Sequence, residues 1–168
     1  TESVQAFREL IRKIQSYHEA LGVLYWDMRT GAPRKGIEAR SEVVGMLSGE
    51  SFRLSVSEEM GELLERLGRP DVSAGLSEID RRLVEVTRRD YERSRKIPQK
   101  EYEAYVFLTS KAEAVWEEAK ERNDFASFRP YLEQIVETNR RFIELWGSEG
   151  HPYNTLLDDY EPGMTGDI

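Results

Sequence analysis

Three stretches of this chain place residues at alternating three- and four-residue steps, and that spacing leaves little choice of fold. Leu76, Ile79, Leu83, Val86, Asp90, Arg93 and Ile97 step 3-4-3-4-3-4. Tyr102, Tyr105, Thr109, Ala112, Trp116 and Ala119 step 3-4-3-4-3, and Phe128, Leu132, Ile135, Asn139, Phe142 and Trp146 step 4-3-4-3-4. Each set forms a narrow stripe on an α-helix, and none makes the period-two face of a strand. Narrow stripes suit long helices packed side by side at about +20°. The expected fold is therefore all-α, a helical bundle with long near-antiparallel helices. The three long helices are expected to be neighbours, with Trp116 and Trp146 buried between them. Asp90 and Arg93 interrupt the first stripe, so that end is read as solvated or paired.

The rest of the chain reads the same way. Phe7, Leu10, Ile11, Ile14, Tyr17, Leu21 and Leu24 mark a first helix over about 3–25, stopped by Thr30-Gly-Ala-Pro-Arg-Lys-Gly36. A second helix over 37–54 is expected to bury Val43, Val44, Leu47 and Phe52. Ser55 or Ser57 can cap a third over 57–67, with Glu58 and Glu59 favoured at its positive end and Gly68 and Pro70 as its stop. The three long helices occupy 76–97, 99–122 and 128–146. Ile97-Pro98 makes the first bend, and Asn123-Asp124 supplies the cap before the last helix. Pro130 fits only in the first turn of that helix, where its missing N–H does no harm. Two prolines and a glycine make 147–168 an irregular strap. No repeat or low-complexity tract divides the chain, so 1–168 reads as a single helical region.

Composition narrows function by exclusion. A net charge of −8 argues against a general nucleic-acid binder. Zero cysteines exclude disulfides and thiolate metal sites and suit a reducing compartment or a hot-living source. No apolar run approaches membrane-spanning length, and the expected location is cytoplasmic. With 39% hydrophobic and 33% charged residues the chain is globular.

The chemistry a helical chain could carry is mostly missing. A helical zinc peptidase needs two histidines four apart with a glutamate beside them. Only His18 and His151 are present. His18-Glu-Ala-Leu-Gly22 begins like that motif, but Gly22 stands where the second histidine should be. A carboxylate-bridged di-metal bundle asks for Glu-x-x-His, yet Gln15 and Ser148 stand three before the histidines. A Ser-His-Asp arrangement and a phosphate-cradling glycine loop are equally unsupported. Arg81, Arg82, Arg88, Arg89, Arg93, Arg95 and Lys96 alternate with acids at helical spacing, which marks a salt-bridged face. No catalytic residue, no metal ligand and no bound cofactor are expected in this chain.

Two segments are too specific to be generic helix. They are Tyr25-Trp-Asp-Met-Arg-Thr-Gly-Ala-Pro-Arg-Lys-Gly36 and His151-Pro-Tyr-Asn-Thr-Leu-Leu-Asp-Asp-Tyr-Glu-Pro-Gly-Met-Thr165. With Trp116-Glu-Glu-Ala119 and Asn123-Asp-Phe-Ala-Ser-Phe-Arg-Pro-Tyr-Leu132, they resemble the M32 metallocarboxypeptidases, the thermostable carboxypeptidases of bacteria and archaea. The resemblance implies the N-terminal part of a neurolysin-like helical peptidase that removes amino acids singly from peptide C-termini. It implies zinc or cobalt in the full-length enzyme, held by a His-Glu-x-x-His motif beyond Ile168, and a dimer as the usual assembly. The chain is thus expected to be an inactive fragment whose partners are the remainder of its own polypeptide and, through it, a peptide. The other reading is a stand-alone helical interaction module. The chain's end favours the fragment, since Gly-Asp-Ile168 closes no element. Asp158, Asp159 and Tyr160 are the candidate groove-wall residues; the blander reading has them fixing the strap by hydrogen bonds, with Asp27 capping or pairing with Arg29 and Trp26 filling core.

Overall fold

The computed structural model describes residues 2–167; Ile168, on which the reading of the chain's end rested, lies outside them. The described residues are helical, with no strand among them. The helices are α1 (Glu2–Thr30), α2 (Ile37–Ser55), α3 (Glu58–Leu67), α4 (Pro70–Ser73), α5 (Glu78–Ser94), α6 (Gln99–Glu121), α7 (Phe125–Trp146) and α8 (Pro152–Tyr160), with a single 3-10 turn at Arg34–Gly36. The chain forms two compact units, the first ending at Phe107 and the second beginning at Leu108, so the division falls inside α6.

In the first unit α3 is the centre. Its Met60, Leu63, Leu64 and Leu67 are buried with Phe7, Leu10 and Ile14 of α1, Leu54 of α2 and Val84 of α5. Ser57 caps α3, its Oγ accepting the Met60 N–H at 3.2 Å. At the other end of α3 the Arg88 guanidinium donates to the Leu64 carbonyl, placing a cation on the helix's negative end. α1 runs five residues past its expected end because no breaker intervenes before Gly31. α1 and α2 are antiparallel neighbours: His18 Nε2 lies 3.1 Å from Ser51 Oγ, and Arg40 Nε donates to Asp27 Oδ2 at 2.5 Å. Asp27 therefore takes Arg40 as an ion-pair partner. Trp26, expected in the core, is 72% exposed, since it lies off the stripe of Ile14 and Leu21.

The buried side of α2 is mostly small. Ser41, Gly45, Ser48, Gly49 and Ser51 are buried with Val44 and Phe52, while Val43, expected inside, is exposed. Glycine and serine let α6 come close: a Cβ on Gly45 would meet Phe107 Cβ at 3.8 Å and the Glu103 carbonyl at 3.9 Å, and a Cβ on Gly49 would collide with the Glu103 side chain. The Phe52 ring stacks on Tyr102 with centroids 4.2 Å apart. Burial, and then the neighbouring Tyr25, pushes the Tyr102 hydroxyl above its ordinary value.

α5 turns a different face inward from the one its spacing suggests. Asp80, only 6% exposed, and Val84 face the core, while Ile79 is 79% exposed and Val86 is exposed too. The cause is a polar lock. Arg8 donates Nε and Nη2 to the two Asp80 carboxylate oxygens at 2.8 and 2.9 Å. Ser77 Oγ donates to Asp80 Oδ2 at 2.6 Å while accepting the Asp80 N–H at 3.1 Å. A carboxylate so satisfied can go inward, and the helix rotates to let it. The α5 stripe is thus spent on α3 and α1, and its outer half stays in solvent.

In the second unit Asn123, at φ 51°, turns the chain between α6 and α7. Asp124 caps α7, accepting the Ser127 N–H at 3.3 Å. α7 begins three residues earlier than expected, which leaves Pro130 inside the helix instead of in its first turn. Ala112, Ala119 and Phe142 are buried, and Phe142 and Trp146 have ring centroids 5.7 Å apart. Trp116 does not fill core: it is 42% exposed, with Lys120 Nζ 4.8 Å from its ring centroid.

Two measurements test this packing. Leu64→Ala should cost about 2–5 kcal/mol in urea denaturation, whereas Ile79→Ala should stay within about 0.5 kcal/mol; equal losses would mean α5 faces the other way. The hydrogen bond from Ser77, then that from Arg8, holds the Asp80 carboxyl below its ordinary 3.8. The unfolded chain therefore takes up this proton before the folded one does, so acid favours unfolding. The stabilisation is fully present above about pH 4 and is lost as pH falls through the lowered folded value. Asp80→Asn should flatten that acid limb in denaturation curves recorded between pH 6 and pH 2.

Candidate functional site

The stretch expected to be an irregular strap contains α8 instead. Pro152 sits at its first position, where a missing N–H is harmless, and His151 precedes it as the cap, Nδ1 accepting the Tyr153 N–H at 3.2 Å. The His-Pro pair was the signal for this helix; read only as a breaker, proline hid it. Beyond α8 the chain turns back under two side-chain clamps. Asp158 Oδ1 accepts the Gly163 N–H at 2.8 Å, and Asn154 Oδ1 accepts the Gly166 N–H at 2.9 Å. Gly163 has φ 87°, a backbone state that glycine adopts freely. Asn154 belongs to the segment singled out in the sequence but was not among its candidate site residues, although an amide side chain before a glycine-rich turn is a familiar turn signal.

The three candidate residues thus share the end of one helix but not one environment. Asp158 is half-buried and engaged in the turn, Asp159 is exposed, and Tyr160 is 90% exposed. A carboxylate holding a backbone N–H has a structural task; a tyrosine ring in solvent has none within this chain.

The histidines serve their helices. His18, itself exposed, lies 3.1 Å from the buried Ser51 hydroxyl, and His151 caps α8. Among the described residues no three His, Asp or Glu side chains converge as metal ligands would. The residues present do not fit a catalytic metal, which needs three such donors and an open position.

The second unit also carries an apolar cleft of about 350 Å³, lined by Trp116, Ala119, Lys120, Asn123, Asp124, Phe125 and Phe128. Phe125 and Phe128 meet edge to face at 6.5 Å. The cleft's carboxylate is the α7 cap and its ammonium lies over Trp116, so its polar groups serve the helix ends. It holds no nucleophile paired with a base.

Comparison with known proteins gives consistent results. The family described as Carboxypeptidase Taq (M32) metallopeptidase matches residues 6–168. Carboxypeptidase 1 of Bacillus subtilis is 48% identical over 159 residues, which is 95% of this chain and 31% of that protein. Thermostable carboxypeptidase 1 of Pyrococcus furiosus is 34% identical over 163 residues, 97% of this chain and 32% of that protein. Among solved structures, one described as the BsuCP crystal structure superposes with a TM-score of 0.95 at 45% identity, covering 99% of this chain and 33% of that one. The Pyrococcus furiosus carboxypeptidase in its Apo-Mg form gives 0.76 at 34% identity, covering 98% and 32%. The chain spans about a third of the length of the curated relatives it matches.

Asp158→Ala separates the two roles open to that residue. If it holds the turn, amide exchange at Gly163 should quicken about two- to tenfold, as expected for one hydrogen bond of about 0.5–1.5 kcal/mol, with α7 unchanged. An unaltered Gly163 would mean that Asp158 does not hold this turn.

Proposed function

We propose that this chain, which belongs to the Carboxypeptidase Taq (M32) metallopeptidase family, is the N-terminal part of a metal-dependent enzyme that removes C-terminal amino acids from peptides. The observation that carries the reading is the family match over residues 6–168, joined by likeness to proteins named carboxypeptidases, one of whose solved structures superposes with a TM-score of 0.76. In this reading the metal, zinc or cobalt, is held by residues of the parent protein outside this chain. No catalytic step is assigned to these residues. Their task is to build helical scaffold, and Asp159 and Tyr160 are the side chains we place toward a groove wall, with Asp158 steadying the turn behind them.

The parent enzyme is read as a cytoplasmic homodimer acting on peptides, without nucleic-acid or membrane partners. The acidic balance supports the first exclusion, and no described helix is long and apolar enough to cross a membrane. Exposed Val23, Trp26, Val43, Met46, Ile79 and Val86 are surface that the remaining polypeptide or a second copy would cover. A stand-alone interaction module accounts less well for likeness to enzymes along nearly the whole chain.

Complementation tests the proposal. The purified chain should release no amino acids from a peptide and keep no zinc after dialysis against a weak chelator. Co-expressed with the downstream polypeptide, it should support release of C-terminal residues that a chelator stops and added zinc or cobalt restores. Stoichiometric zinc held by the chain alone, and lost on His18→Ala, would sink the reading.

A further inference from the structure

α8 is a weak helix held at its start by a titratable group. It has nine residues and none of its side chains is fully buried, and so short a helix is marginal without packing. Glycines in left-handed conformation flank it, Gly147 at φ 82° and Gly150 at φ 74° before it and Gly163 at φ 87° after it. Side-chain bonds from α8 reach both connections, Thr155 Oγ1 donating to the Gly147 carbonyl at 3.5 Å and Asp158 and Asn154 accepting the Gly163 and Gly166 N–H groups. What closes its N-terminus is the His151 ring: Nδ1 accepts the Tyr153 N–H at 3.2 Å.

An imidazole nitrogen accepts a hydrogen bond only while it keeps its lone pair. Protonation places a hydrogen on Nδ1 and removes the acceptor, and it puts a positive charge at the positive end of the helix. Both effects act against α8. The usual N-cap residues, serine, threonine and asparagine, do not titrate in this way, whereas an imidazole changes charge in the range around pH 5–8. The charged groups on the surrounding elements are Glu149 in the connecting loop, Arg140, Arg141 and Glu144 on the last turns of α7, against which α8 packs, and Asp158 and Asp159 on α8 itself. Arg141 and Glu144 pair with each other at 3.6 Å, and Asp158 is engaged with Gly163.

We propose that His151 is a pH-sensitive latch on α8: the neutral ring caps the helix and holds the segment that carries Asp158, Asp159 and Tyr160, and protonation releases it. Acid thus loosens this segment while α7 stays intact.

Amide hydrogen exchange on the 168-residue chain tests this, with protection taken relative to intrinsic rates at each pH. Between pH 8 and pH 5.5, protection over 153–160 should fall about fivefold, the factor expected for losing one N-cap, and protection in α7 should not change. His151→Asp, whose carboxylate remains a cap at both values, should keep α8 protected throughout. His151→Ala should show the low protection at both. Equal protection of the parent chain at the two pH values would overturn the latch, as would a parallel loss in His151→Asp or full protection in His151→Ala at pH 8. The readout is helix protection and not peptide hydrolysis, so its result stands apart from that of the carboxypeptidase reading.

Discussion

The first unit is organised around a helix too short to stand by itself. Ten residues of α3 could not persist in water alone, yet Leu63 is buried and Met60, Leu64 and Leu67 are among the most deeply buried of the described side chains. Each such side chain is worth about 1.5–3 kcal/mol when removed from water. That burial is available only if α1, α2 and α5 bring their own apolar residues to the same place. Both ends of α3 are closed by other residues, the start by Ser57 and the end by Arg88 reaching from α5. The short helix thus fixes where the long ones lie, and the Arg8–Asp80–Ser77 lock sets how α5 is rotated about its axis.

Helix content and the caps at Ser57 and Asp124 were legible in the sequence because each rests on local chemistry. Rotation was not. A 3-4 stripe shows that a helix has an apolar face, but not which neighbour the face meets, and on α5 a satisfied carboxylate outweighed two aliphatic side chains, Ile79 and Val86. Nothing within α5 announces this, because Arg8 lies 72 residues away. The inner face of α2 was hidden for the opposite reason. Its buried positions are largely serine and glycine, which register as neutral in any hydrophobic pattern. α8 was missed because proline was read as a stop when it marked a start.

On function, the sequence was more informative through resemblance than through chemistry. His18 lies against Ser51 and His151 caps α8, so each histidine has a local partner at a helix surface or end. Asp158 holds a turn. Under the proposed function, what the chain contributes to an enzyme is shape, together with exposed apolar side chains and the segment ending in Asp159 and Tyr160. A scaffold of this kind is recognised by the whole course of its sequence, and no single catalytic residue would reveal it.

The close approach of α2 and α6 has a bearing on heat tolerance. Gly45 and Gly49 lie on one helix face, yet they differ in what surrounds them. At Gly45 an added methyl group would find ordinary van der Waals distances, and alanine restricts the unfolded chain more than glycine does. At Gly49 the same group would meet the Glu103 side chain, which Gln99 holds at 2.7 Å. Adaptation to higher temperature thus has an open route at one glycine, while at the other it must first rearrange a neighbour.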